Sequence, residues 1–76
     1  MKRQVNGPAI RAIRMGLGIK QQDLAERAGI SPSHMNKIES GAESGRFETI
    51  VRIAQQLGVT VDAIAPVITP EAAITS

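Results

Sequence analysis

Ser33, Asn36, Lys37 and Ser40 recur at the i, i+3, i+4, i+7 spacing that puts four side chains on one stripe of an α-helix. Three short hydrogen-bonding groups and one cation, with nothing apolar between them, suit contact with base edges. An asparagine amide can bond adenine bidentately and a lysine can donate to guanine. A helix that needs only solubility more often carries Glu and Lys, although Ser and Asn also decorate ordinary surfaces. The same stretch holds the single histidine, His34, beside Ser31 and Ser33. Neighbours on one helical turn, without an orienting acid or an oxyanion hole, do not make a nucleophile and its base. No catalytic residue is expected, and no enzyme activity. One histidine without cysteine makes no metal site, and no cofactor is expected. His34 is left as a phosphate contact at the flank of the stripe or as an exposed side chain.

The elements that must carry this stripe follow from period and punctuation, and they predict an all-α fold of five short helices. Residues 7–17 place Ile10, Ile13 and Leu17 on one face, with Gly16 and Gly18 as the stop. Residues 21–28 turn Leu24, Ala25 and Ala28 inward, and Gly29 supplies the left-handed backbone of a tight exit. Ser31 is an N-cap and Pro32 fits the first helical position of a third helix that ends near Ser40, before Gly41. A fourth helix over 47–57 aligns Phe47, Ile50, Ile53, Ala54 and Leu57, with Gly58 behind it. Thr60 caps a short fifth, which Pro66 curtails. No strand is predicted. The chain divides into an N-terminal arm (1–6), a domain (7–65) in which two helices joined by a turn span 21–40, and a C-terminal tail (66–76). Thr69, Pro70 and Glu71 signal a helix start with too few residues left to sustain a helix. The tail is either disordered or ordered by packing, a second subunit included.

Two charges interrupt the apolar faces. At ~100° per residue Glu39 projects ~40° from Met35, on the side of the third helix that Met35 and Ile38 assign to the core. Arg14 stands in the same way beside Ile10, Ile13 and Leu17. The pattern predicts a partly buried Arg14–Glu39 ion pair joining the first helix to the third; the alternative places both charges at the rim, in water.

Composition bounds the rest. The 76 residues, 42% of them hydrophobic, suffice for one small core, and neither a large cleft nor a sensor domain is expected. Phe47 is the only aromatic, so there is no stacking platform for single-stranded nucleic acid. The absence of cysteine is compatible with a reducing cytoplasm. No apolar run approaches the roughly 18 residues of a membrane span, and "MKRQVNG" lacks the apolar centre of a signal peptide. A cytoplasmic protein with no membrane partner is expected. The net charge is only +2, yet residues 1–20 hold Lys2, Arg3, Arg11, Arg14 and Lys20 without one acid. Such asymmetry fits a polyanionic partner, and it also fits a solvated basic face.

Gln21, the pair Leu24–Ala25, Gly29 in "GIS", Met35 where relatives have Ile or Val, "IESG" at 38–41 and "IAQQLGVTVDAI" at 53–64 form an ordered series. Residues 9–64 thereby resemble the helix-turn-helix domain of the lambda-repressor/Cro (XRE) family. The resemblance implies a compact five-helix lambda-repressor-like domain whose second and third helices present the stripe to the major groove. It implies base contacts at Ser33, Asn36 and Lys37 and a phosphate contact at Gln21; Lys20, Arg46, Ser40 and His34 are the further phosphate candidates. Gln21 would also brace the third helix. Two departures stand out. Pro32 occupies a position where relatives often place glutamine, which makes base readout sparser or shifts it to DNA shape. Gly45 replaces a common proline, which leaves the loop "GAESG" more freedom than in relatives.

The function so implied is sequence-specific binding of double-stranded operator DNA by a transcriptional regulator, a phage or mobile-element repressor that occludes its site as a homodimer. Val67, Ile68 and Ile74 are the dimer candidates, since Val59, Val61 and Ile64 are claimed by the core. Alternatives are a DNA-binding antitoxin whose tail folds on a toxin, a restriction–modification controller, or an adaptor that binds another protein instead of DNA. Lys2 and Arg3 make the arm a minor-groove candidate as much as a loose end.

Overall fold

The computed structural model describes residues 2–68, with side chains over 4–66. In chain order the elements are β1 (Lys2–Arg3), α1 (Gly7–Gly16), α2 (Gln21–Ala28), α3 (Pro32–Ser40), α4 (Phe47–Leu57), α5 (Val61–Ile64) and β2 (Val67–Ile68). α2 packs on α3 and α4, α1 packs on α3 and α5, and α4 packs on α5. At their common centre Ile10, Leu24, Met35, Ile38, Ile53 and Ile64 are fully buried. Ala25 and Ala28 are fully buried too, on the faces where α2 meets its neighbours. Their small side chains let the helices approach closely.

Local chemistry sets the helix ends. Asn6 caps α1, its Oδ1 accepting from the Ala9 N–H at 3.1 Å. Ser31 caps α3, its Oγ accepting from the His34 N–H at 3.1 Å. The exits of α2 and α3 share one closure: Gly29 (φ 76°) and Gly41 (φ 85°) turn left-handed. The following N–H then reaches back to the last turn, Ile30 to the Ala25 carbonyl at 3.0 Å and Ala42 to that of Lys37 at 2.9 Å. The Thr60 side chain, expected as a cap for α5, makes no such bond.

Three further expectations are corrected. Leu17 is 55% exposed rather than part of the core stripe; as the C-cap of α1 it keeps the helical backbone and its bond to the Ile13 carbonyl, but the stripe has run past the end of the core. Phe47 is 60% exposed, because it is the first residue of α4 and the stripe there runs past the end of the core. The chain also contains a strand pair that was not predicted, β1 and β2 antiparallel with Lys2 opposite Ile68 and Arg3 opposite Val67. The pairing continues inward as Gln4 N–H to the Pro66 carbonyl at 3.2 Å and Asn6 N–H to that of Ile64 at 2.7 Å. Residues 2–6 are therefore joined to the body through their backbone. Val59, Val61 and Val5 pack at the margin of the core. Val67 and Ile68 lie in β2, while Ile74 and the helix-start signal at Thr69 lie outside the described residues.

Gly7 has a tertiary role that the sequence did not reveal. A Cβ built on it would lie 2.5 Å from the Glu39 carbonyl oxygen and closer still to that of Ile38. The first turn of α1 thus presses directly on the last turn of α3.

Candidate nucleic-acid interface

The outer face of α3 is polar. Ser33, Asn36, Lys37 and Ser40 are all exposed, while Met35, Ile38 and Glu39 point inward. The Ser40 hydroxyl donates to the Lys37 carbonyl at 3.1 Å, which leaves its lone pairs outward. Gly29 and the Ser31 cap fix the angle at which α3 leaves α2, and Pro32 opens the helix with its preset φ.

Arg14 and Glu39 meet as the charges in the two stripes predict. Arg14 Nε donates to Glu39 Oε2 at 2.9 Å and Nη2 to Oε1 at 3.2 Å, a two-pronged pair whose side chains are only 11% and 3% exposed. Arg14 Nη1 donates to the Ile19 carbonyl at 2.8 Å, so the guanidinium also ties down the turn after α1. Among the described residues no buried side-chain nitrogen or oxygen lacks a partner.

Gln21 carries this arrangement to the surface. Its Nε2 donates to Glu39 Oε1 at 3.3 Å and approaches Asn36 Oδ1 at 3.4 Å. A carboxylate only accepts, so Glu39 dictates which end of the Gln21 amide faces inward. The bracing role implied for Gln21 is thus present as geometry, and it ends on Asn36. On the other flank of α3, His34 Nε2 lies 3.0 Å from Glu43 Oε2 and Lys37 Nζ lies 3.8 Å from Glu43 Oε1.

Lys20 and Arg46 are exposed N-caps of α2 and α4 whose side chains make no capping bond. Both helices therefore begin beside a cation whose own side chain does not cap them, and a helix N-terminus next to a cation suits an anion. Asp23 and Glu48 supply negative charge within the same first turns. Gly45, the departure from proline, has φ 73°, which a proline ring fixed near −65° cannot adopt. The loop is also held by the Ala42 and Glu43 N–H groups, both donating to the Lys37 carbonyl. Glu43 is the site residue that sequence reasoning missed. The signal lay in Gly41, since a left-handed exit folds the next residues back over the last turn of the helix.

Among the described residues no group of three or more His, Cys, Asp or Glu side chains could hold a metal ion, and no helix is long and apolar enough to cross a membrane.

A polar-faced α3 held against α2 through a small residue and a glycine turn defines a helix-turn-helix unit. The helix-turn-helix family profile matches residues 10–64, and the chain belongs to that family, in its XRE branch. It is 27% identical over 60 residues to an uncharacterized HTH-type transcriptional regulator, y4mF, of Sinorhizobium fredii, covering 79% of each chain. Its fold is similar to the clp gene regulator ClgR of Corynebacterium glutamicum, with TM-score 0.72 and 29% identity, over 75% of this chain and 62% of that one, so it spans less than two thirds of ClgR. It is similar also to the P22 c2 repressor in complex with a synthetic operator, with TM-score 0.72 and 27% identity, over 78% of this chain and 89% of the repressor.

Proposed function

We propose that the chain is a sequence-specific double-stranded DNA-binding transcriptional regulator, a phage or mobile-element repressor acting as a dimer on an operator. The observation that carries this reading is the exposed polar stripe of α3, backed by Gln21 and the buried Arg14–Glu39 pair. The similarity to an operator-bound repressor supports it. In this reading Ser33, Asn36 and Lys37 meet base edges and Lys20, Arg46 and His34 meet the phosphates, joined by Gln21 through its backbone N–H at the start of α2 and by Ser40 once its hydroxyl turns from the Lys37 carbonyl. A dimer would span two half-sites roughly 34 Å apart, and its bound mass would exclude polymerase.

Selection of bound duplexes from random DNA at near-physiological salt tests the reading. A twofold-symmetric motif is the expected result; failure to enrich any sequence would sink it. Asn36→Ala should cost about 1–3 kcal/mol on the selected site and relax discrimination at one base pair, whereas Lys20→Ala should weaken every sequence alike. With Oδ1 turned to Gln21, Asn36 offers its Nδ2 hydrogens outward, so an acceptor such as guanine O6 or thymine O4 suits it better than the two-sided adenine pattern. A selected motif with invariant adenine at that position would show that the Gln21 contact breaks on binding.

For the dimer, Val67, Ile68 and Ile74 remain the proposed contacts. Truncation after Ala65 removes β2 as well, so sedimentation should show weaker self-association together with some loss of stability; an unchanged dimer would dismiss the tail.

A protein partner, such as the toxin of a toxin–antitoxin pair, is the second reading. Met15 and Leu17 favour it, two large apolar side chains at the end of α1 that are each more than half exposed. Salt separates the two, since binding through phosphates weakens steeply as salt rises.

A further inference from the structure

Glu43 faces the proposed DNA surface with the wrong sign for it. Its carboxylate lies 3.0 Å from His34 Nε2 and 3.8 Å from Lys37 Nζ, both on α3. Its placement is not left to a free side chain. The Glu43 N–H donates to the Lys37 carbonyl at 3.2 Å, beside that of Ala42 at 2.9 Å, so the backbone under Glu43 is clipped to the last turn of the helix it neutralises. The Glu43 side chain is 45% exposed, and an exposed ion pair of this kind contributes little to folding stability. Its consequence must be sought where His34 and Lys37 act.

We propose that Glu43 is a specificity-determining residue, an internal carboxylate that competes with DNA phosphate for His34 and Lys37 and so selectively weakens binding to non-cognate duplexes. The inference rests on the double-stranded DNA reading above. A phosphate that takes the Lys37 ammonium or the His34 Nε2 must displace Glu43 and then lie beside its charge. A base edge is a neutral acceptor and imposes no such exchange. The Lys37 ammonium keeps donors for it, because an ammonium has three hydrogens and the Glu43 contact is long. Non-specific binding consists almost wholly of phosphate contacts, whereas specific binding adds the base edges. The penalty therefore falls mainly on the non-specific mode and widens the ratio between the two.

The test compares Glu43→Gln with the wild type on the selected duplex and on a scrambled duplex of equal length, across a salt series. Glu26→Gln, which removes one acidic charge from the exposed face of α2, is the matched control. Glu43→Gln should bind the scrambled duplex about tenfold more tightly and the selected duplex only two- to threefold more tightly. Its slope of log affinity against log salt on scrambled DNA should steepen by about 1, for one further phosphate engaged. Equal gains on both duplexes, an equal effect from Glu26→Gln, or a loss confined to the selected site would each overturn the inference while leaving DNA binding intact. A wild type that binds neither duplex would overturn the DNA reading and this inference with it.

Discussion

Gly7→Ala is expected to lower the thermal midpoint by roughly 12–24 °C, from a loss of ~3 kcal/mol at about 4–8 °C per kcal/mol for a domain of this size. The added methyl meets the Ile38 and Glu39 carbonyl oxygens, with the Glu39 carbonyl carbon 2.8 Å away. These atoms are backbone, so no rotamer change relieves the overlap, and α1 must move off α3. That movement also pulls Arg14 from Glu39, since the ion pair spans the same two helices. Gly16→Ala is the internal control. It lies in the same helix, a Cβ there meets nothing within 4 Å, and the change should be neutral or stabilising by up to ~1 kcal/mol. Equal melting of the two variants would show that the contact at Gly7 relaxes freely.

Gly7 also marks where reading the sequence runs out. The helix ends were legible because their determinants are local: Gly29, Ser31, Pro32 and Gly41 act within a few residues of themselves. The Arg14–Glu39 pair was legible because a charge inside an apolar stripe needs an opposite charge facing it. Gly7 gives no such sign, since its requirement is for space and comes from residues more than thirty positions away. β1 and β2 hold two residues each, too few for an alternation to show. Phe47 and Leu17 misled in the opposite direction, because a helical period can be extended on paper beyond the point where the core stops. On α3 the exposed stripe was visible as a pattern. What holds each flank of it, Gln21 on Asn36 and Glu43 on Lys37, depends on where separate turns fold back.

Glu39→Ala should destabilise the domain by about 3–5 kcal/mol, because it strands a guanidinium that is 11% exposed and has lost its carboxylate. Removing both charges is a different perturbation. Arg14→Met with Glu39→Leu replaces a desolvated pair by apolar side chains of similar reach, and such exchanges are often neutral or stabilising. The double variant should therefore melt well above Glu39→Ala, and denaturant titration of the wild type, both single variants and the double variant measures the coupling. A Glu39→Ala protein within ~1 kcal/mol of the wild type would mean that the pair behaves as a solvated rim pair. The folded double variant then separates stability from readout. Gln21 donates to Glu39, so without that carboxylate the Gln21 amide loses the partner that orients it, and Asn36 loses its brace. Selection with the double variant should return a motif relaxed at the Asn36 position while binding to random duplexes is unchanged. That outcome would place the benefit of the buried ion pair in the aim of one amide on the surface of α3, more than in the stability of the core.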